Sequence, residues 1–132
     1  MGATAFQRGL GAMHALAHPL GALYDAHHGM LNAVLMPYVL QANRAAIDTR
    51  ITALARYLDL PSPSFGAFLD WVLALREQLG IPHTLAAIGI DALRAEAIGR
   101  MAVEDGSAGT NPIQFGAADY ARIFERAVSG QL

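Results

Sequence analysis

Apolar residues recur at helical spacing along nearly the whole chain, and the strict alternation that marks a strand is almost absent. Residues 4–18 favour helix, and Pro19 with Gly21 predicts a kink or an end there. The stretch GMLNAVLMPYVLQAN, residues 29–43, is apolar almost all round, as a helix buried on most sides would be, with Pro37 implying a kink or a stop. Over 44–58, Ile47, Ile51, Leu54 and Leu58 form one stripe, while Arg44, Asp48 and Arg56 fall largely elsewhere. LPSPS then breaks the chain, with Ser62 reading as an N-cap and Pro63 as the first-turn proline. The next helix carries Phe65, Phe68, Leu69, Val72, Leu75 and Leu79 at core spacing and stops at Gly80. IPHTLAAIGI is a compact connector, Asp91 caps a helix running to about Glu104, and Asp105-Gly106 ends it. GTNP turns at 109–112, and a last helix from about Ala117 repeats Tyr120, Ile123, Phe124, Ala127 and Val128. The pattern predicts a single all-α domain of about six helices, without repeat or linker.

Composition sharpens this picture. At 132 residues the chain is long enough for a core, and with 54% apolar against 15% charged residues it must bury much of itself or be covered by another domain or subunit. The formal net charge is −2, and the nine basic residues, all Arg, are dispersed, which argues against nucleic-acid binding. No cysteine is present, so any metal would be held by His, carboxylate or backbone oxygen. No apolar run approaches the roughly 20 residues that span a bilayer. The opening MGATAFQRGLGA lacks the apolar core and cleavage pattern of a signal peptide, and a cytoplasmic location is expected.

Four of the five histidines fall in HALAHPLGALYDAHHG, residues 14–29. His14 and His18, four apart, share a helix face, and His28 follows a break that could return it toward them. Neutral imidazoles at this spacing permit a zinc or iron site; chance or a polar interface would give the same spacing. The extended zinc-protease pattern is rejected, because its general-base position is Ala15 and its third-ligand position is Tyr24. Asp25 and Asp105 read as single solvated carboxylates, Ser107 and Thr110 lack a recognisable base, and His83 reads as structural or exposed.

The longer segment GLGAMHALAHPLGALYDAHHGMLNAVLMPYVLQAN closely resembles the signature of the iron-containing (group III) alcohol dehydrogenases, in their C-terminal helical domain. LGIPHTLAAIGI is similar to that family's connector before the penultimate helix, and AVEDGSAGTNPIQFGAADYARIFERAVSG to its C-terminal close. The resemblance implies the helical-bundle domain of the iron-containing alcohol dehydrogenase and dehydroquinate synthase-like fold. It also implies NAD(P)-dependent interconversion of a small alcohol with an aldehyde or ketone. His14 and His28 match the two histidines that bind the catalytic metal, Fe²⁺ or Zn²⁺. His18 matches a histidine beside the metal, implicated in proton transfer and in contact with the nicotinamide side of the cofactor. Gly29 and Asn32 match the start of the helix after the second ligand. The family generally has proline where His27 stands, and His27 is expected to face solvent. The metal-independent maleylacetate reductases carry His-Ala where this chain has His28-Gly29, which favours the metal-dependent branch.

Two histidines are half a catalytic site, since three or four protein ligands are usual. In the family the remaining ligands are an Asp and a His four residues apart on an earlier helix. That helix and the nucleotide-binding domain are expected to be the missing N-terminal partner of this chain, which by itself should be inactive. The competing reading is a catalytically incompetent helical domain that acts by self-association into a homo-oligomer, or as half of a split enzyme.

Overall fold

The computed structural model describes residues 11–24, 28–111 and 113–132, without the side chains of His28, Ser107 and Thr110. Among the described residues six α-helices follow in order: α1 Gly11–Tyr24, α2 His28–Ala42, α3 Arg44–Tyr57, α4 Phe65–Gln78, α5 Ala95–Glu104 and α6 Ala117–Ser129. Short 3₁₀ segments occupy Ala86–Ile88 and Gly106–Thr110, and no strand occurs among the described residues. The fold is all-α, as the periodicity predicts. Helix α2 lies at the centre, touching α1, α3, α4 and α6, while α1 packs on α5 and on the second 3₁₀ segment. The core joins Leu16 and Leu20 of α1, Leu31 and Leu35 of α2, Phe65 and Phe68 of α4, Ile98 of α5, and Tyr120 and Phe124 of α6.

Both proline helices run on where a break was open. Helix α1 passes through Pro19 to Tyr24, and α2 through Pro37 to Ala42. Pro37 has no N–H to give the carbonyl of Ala33, four residues earlier, and that carbonyl would be orphaned. Arg76 of α4 supplies the donor instead: its Nη1 donates to Ala33 O at 3.2 Å and to Val34 O at 2.9 Å. Its Nη2 donates to Nδ1 of His83 at 2.8 Å, since a guanidinium has no acceptor. His83 therefore carries its hydrogen on Nε2, 3.2 Å from Gly130 O, while Tyr38 donates its hydroxyl to the His83 carbonyl. Burial lowers the Arg76 pKa from its ordinary value and raises that of Tyr38. His83 is thus structural, tying the connector to α2, α4 and the end of α6.

Two boundary expectations and one core expectation are corrected. Ser64 rather than Ser62 caps α4, accepting from Ala67 N at 3.0 Å, whereas Ser62 sits in the left-handed region at φ +48°. Leu75 and Leu79 are not core: they are 39% and 66% exposed, and the buried stripe runs Phe65, Phe68, Val72, Arg76. Asp91 does not cap α5; its Oδ1 accepts from Leu93 N at 3.1 Å in a local turn, and the helix starts at Ala95. The stop at Gly80 holds, with φ +72° after the C-cap Leu79. Helix α6 is bounded as expected: the Asp119 carboxylate accepts from Gly116 N at 2.9 Å at its start, and Gly130 at φ +85° ends it.

Candidate functional site

Helix α1 is buried nearly all round as far as Leu20, while Ala22 and Leu23 in its last turn are exposed. Gly11, Ala12, Met13, Ala15, Leu16, Ala17, Pro19 and Leu20 are all inaccessible, and between them only His14, half-buried, and His18, exposed, reach solvent. The i, i+4 spacing brings the two imidazoles over one another, with ring centroids 6.4 Å apart. The sequence expectation that they share a face is met, and that face is the open one. The side chain of His28 and the whole of Asp25 and His27 lie outside the described residues, so the second expected ligand is placed only as the first residue of α2.

Asp105 is the residue that sequence reasoning missed. It is not a solvated turn carboxylate. Its Oδ2 lies 2.8 Å from Nδ1 of His18, with its side chain 18% exposed against 50% for the histidine. The partners are 87 residues apart, and no local spacing could signal a contact made only when α5 packs across α1. The Asp105 backbone is fixed on both sides: its N–H donates to Ala102 O, and its carbonyl accepts from Ala108 N.

Tyr120 extends the polar edge inward. It is fully buried, and its hydroxyl has no hydrogen-bond partner among the described residues. Burial, reinforced by the negative charge of Asp105, pushes its pKa up to about 12 from 10.0. Below pH 10 both the folded and the unfolded chain keep this proton. Between about pH 10 and 12 the unfolded chain loses it first, so stability falls as pH rises through that window and levels off above it. Urea unfolding midpoints followed across it should show a loss of about 2 kcal/mol that Tyr120→Phe abolishes. Tyr38, raised by burial in the same direction, keeps a smaller slope in the variant. An unchanged slope in Tyr120→Phe would rule this origin out.

The donors suit a borderline metal ion: neutral imidazole binds iron and zinc well, and His14 sits half-buried on the open face. The set is partial. No three His, Cys, Asp or Glu side chains converge among the described residues. Residues 1–128 match the model of the Fe-containing alcohol dehydrogenase family, C-terminal. The chain belongs to the iron-containing alcohol dehydrogenase family. It is 38% identical over 136 residues to the 4-hydroxybutyrate dehydrogenase of Cupriavidus necator, covering 96% of this chain and 35% of that protein. It is 30% identical to the lactaldehyde reductase of Escherichia coli K12, covering 90% and 33%. Among solved structures, a 1,3-propanediol oxidoreductase superposes with TM-score 0.82 at 31% identity, covering 88% of this chain and 32% of that one. An alcohol dehydrogenase from Oenococcus oeni superposes with TM-score 0.79 at 34% identity, over 87% and 32%. The chain thus spans about a third of the length of these iron-containing alcohol dehydrogenase relatives. No helix of the described residues is long and apolar enough to cross a membrane.

Proposed function

We propose that this chain forms the metal-side helical part of an NAD(P)-dependent alcohol dehydrogenase acting on a small alcohol or its carbonyl. The observation that carries the reading is His14 and His18, paired on one face of a helix whose other residues from Gly11 to Leu20 are buried, in a chain of this family. His14 and His28 are the two imidazole donors, and an Asp and a His outside these 132 residues complete the site, beside a nucleotide-binding domain. When bound, the metal supplies Lewis acidity toward the substrate oxygen and the nicotinamide exchanges the hydride. The chain's own contribution to chemistry is the proton: His18, half exposed beside His14, accepts it from the substrate hydroxyl or returns it. The relatives' names, 4-hydroxybutyrate dehydrogenase, lactaldehyde reductase and 1,3-propanediol dehydrogenase, support a small oxygenated substrate. A fourth, an NADPH-dependent butanol dehydrogenase, supports a nicotinamide cofactor.

Calorimetric titration of the metal-free chain with Zn²⁺, and anaerobically with Fe²⁺, tests the shared site. Weak binding, lost in His14→Ala and in His28→Ala, is expected, with no oxidation of alcohol by NAD(P) in the chain alone. Tight stoichiometric binding would overturn it. Coupled to dimerisation in light scattering, that result would favour self-association, for which exposed Trp71 and Leu75 of α4 and its C-cap Leu79 provide apolar surface.

A further inference from the structure

A carboxylate only accepts hydrogen bonds, so across the 2.8 Å contact between Asp105 Oδ2 and His18 Nδ1 the histidine is the donor. A neutral imidazole has one N–H. With it on Nδ1, the lone pair lies on Nε2. In water a free imidazole side chain favours the opposite tautomer, with its hydrogen on Nε2. We propose that Asp105 is a positioning residue for His18, fixing its ring so that Nε2 is always the proton-accepting nitrogen. This rests on the proton-transfer reading of His18 given above.

The placement of Asp105 suits the role. It ends α5 with extended backbone, φ −69° and ψ 138°, and the 3₁₀ segment that follows packs directly on α1. Its main-chain groups are both hydrogen-bonded, so the carboxylate is delivered by rigid structure rather than by a mobile loop. Its side chain is much less exposed than its partner's, so solvent competes weakly for the oxygen that holds the ring. The pairing also works as a check on helix packing: a shift of α5 along α1 would release the imidazole. A histidine oriented by a carboxylate on its far nitrogen is the arrangement by which other proteins keep a catalytic or ligating imidazole in one tautomer.

The tautomer is read directly in the ¹⁵N-labelled chain, without metal or nicotinamide, from long-range ¹H–¹⁵N correlations of the neutral ring, assigned with His18→Gln. We expect Nδ1 to be the protonated nitrogen of His18, the Nε2–H form to take over in Asp105→Ala, and Asp105→Glu to restore Nδ1–H. A wild-type ring protonated on Nε2 overturns the proposal. So does an Nδ1–H form that persists in Asp105→Ala. Should the alanine variant fail to fold, the wild-type and Asp105→Glu spectra still decide, because Nε2–H in the wild type suffices to refute it. The metal titration and this spectrum fail independently. An absent metal site leaves the tautomer result standing, and a wrong tautomer leaves His14 and His28 untouched.

Discussion

Asn111→Ala should cost about 4 kcal/mol of folding stability. Asn111 is almost fully buried, and every polar atom of its side chain is engaged. Its Nδ2 donates to Asn43 Oδ1 at 2.7 Å and to Ile113 O at 2.7 Å, and its Oδ1 accepts from Ala12 N at 3.2 Å. These bonds reach three places at once. Ala12 is in the first turn of α1, where a helix leaves N–H groups without an intrahelical partner. Asn43 stands between α2 and α3, fully buried, with its own Nδ2 donating to Val39 O at 3.0 Å. Ile113 begins the approach to α6. Alanine would leave one donor and two acceptors without their partner in the interior, each worth about 1–3 kcal/mol when orphaned. Asn111→Asp is the informative control. It keeps an acceptor for Ala12 N but sets carboxylate oxygens against Asn43 Oδ1 and the Ile113 carbonyl, so it should lose at least as much. Urea unfolding monitored by circular dichroism measures both. A loss below about 1 kcal/mol in the alanine variant would mean that water replaces the amide at little cost, and that Asn111 is not the fastener described here.

This network shows where the sequence was legible and where it stopped being so. The final helix could be read position by position because Tyr120, Ile123, Phe124 and Ala127 repeat against a polar face, and all four are buried. Helix α4 misled because its buried stripe includes a charged residue. Arg76 looks like solvated surface until Pro37, on another helix, is seen to leave a carbonyl that needs a donor. That rotation of the stripe is what exposes Leu75 and Leu79. The Ser62 expectation failed by two residues because two serines flank one proline, and only the backbone decides which of them has the extended conformation a cap requires. GTNP announced a turn, yet nothing local announced that its asparagine fastens α1 to the junction of α2 and α3. The candidate site divides in the same way. His14 and His18 are joined by helical geometry and are visible as a pair, whereas Asp105 joins them through tertiary packing alone.

Gly99→Ala should destabilise the fold by about 2 kcal/mol, against the sign that helix propensity alone predicts. Gly99 lies in the middle of α5, where alanine would normally gain about 1 kcal/mol. The helix tolerates glycine there because α5 and α6 approach closely at that point: a Cβ on Gly99 would stand 2.3 Å from the carbonyl oxygen of Ala117 and 3.2 Å from Ala121 Cβ. The oxygen belongs to the first residue of α6, held in the helical backbone, and cannot swing aside as a flexible side chain would. The helices must separate, and that strain, typically about 1–3 kcal/mol for overpacking, is joined by lost packing between α5 and α6, whose buried Ile98, Ala102 and Phe124 belong to one core. The propensity gain offsets only part of this. Because Asp105 ends the same helix, the displacement should also loosen its hold on His18, so the variant's His18 ring should shift toward the Nε2–H form together with the fall in unfolding midpoint. A Gly99→Ala chain as stable as the parent would show that α6 yields at its first turn. The close approach would then be a convenience of packing rather than the constraint that sets where α5, and with it the Asp105 carboxylate, comes to rest.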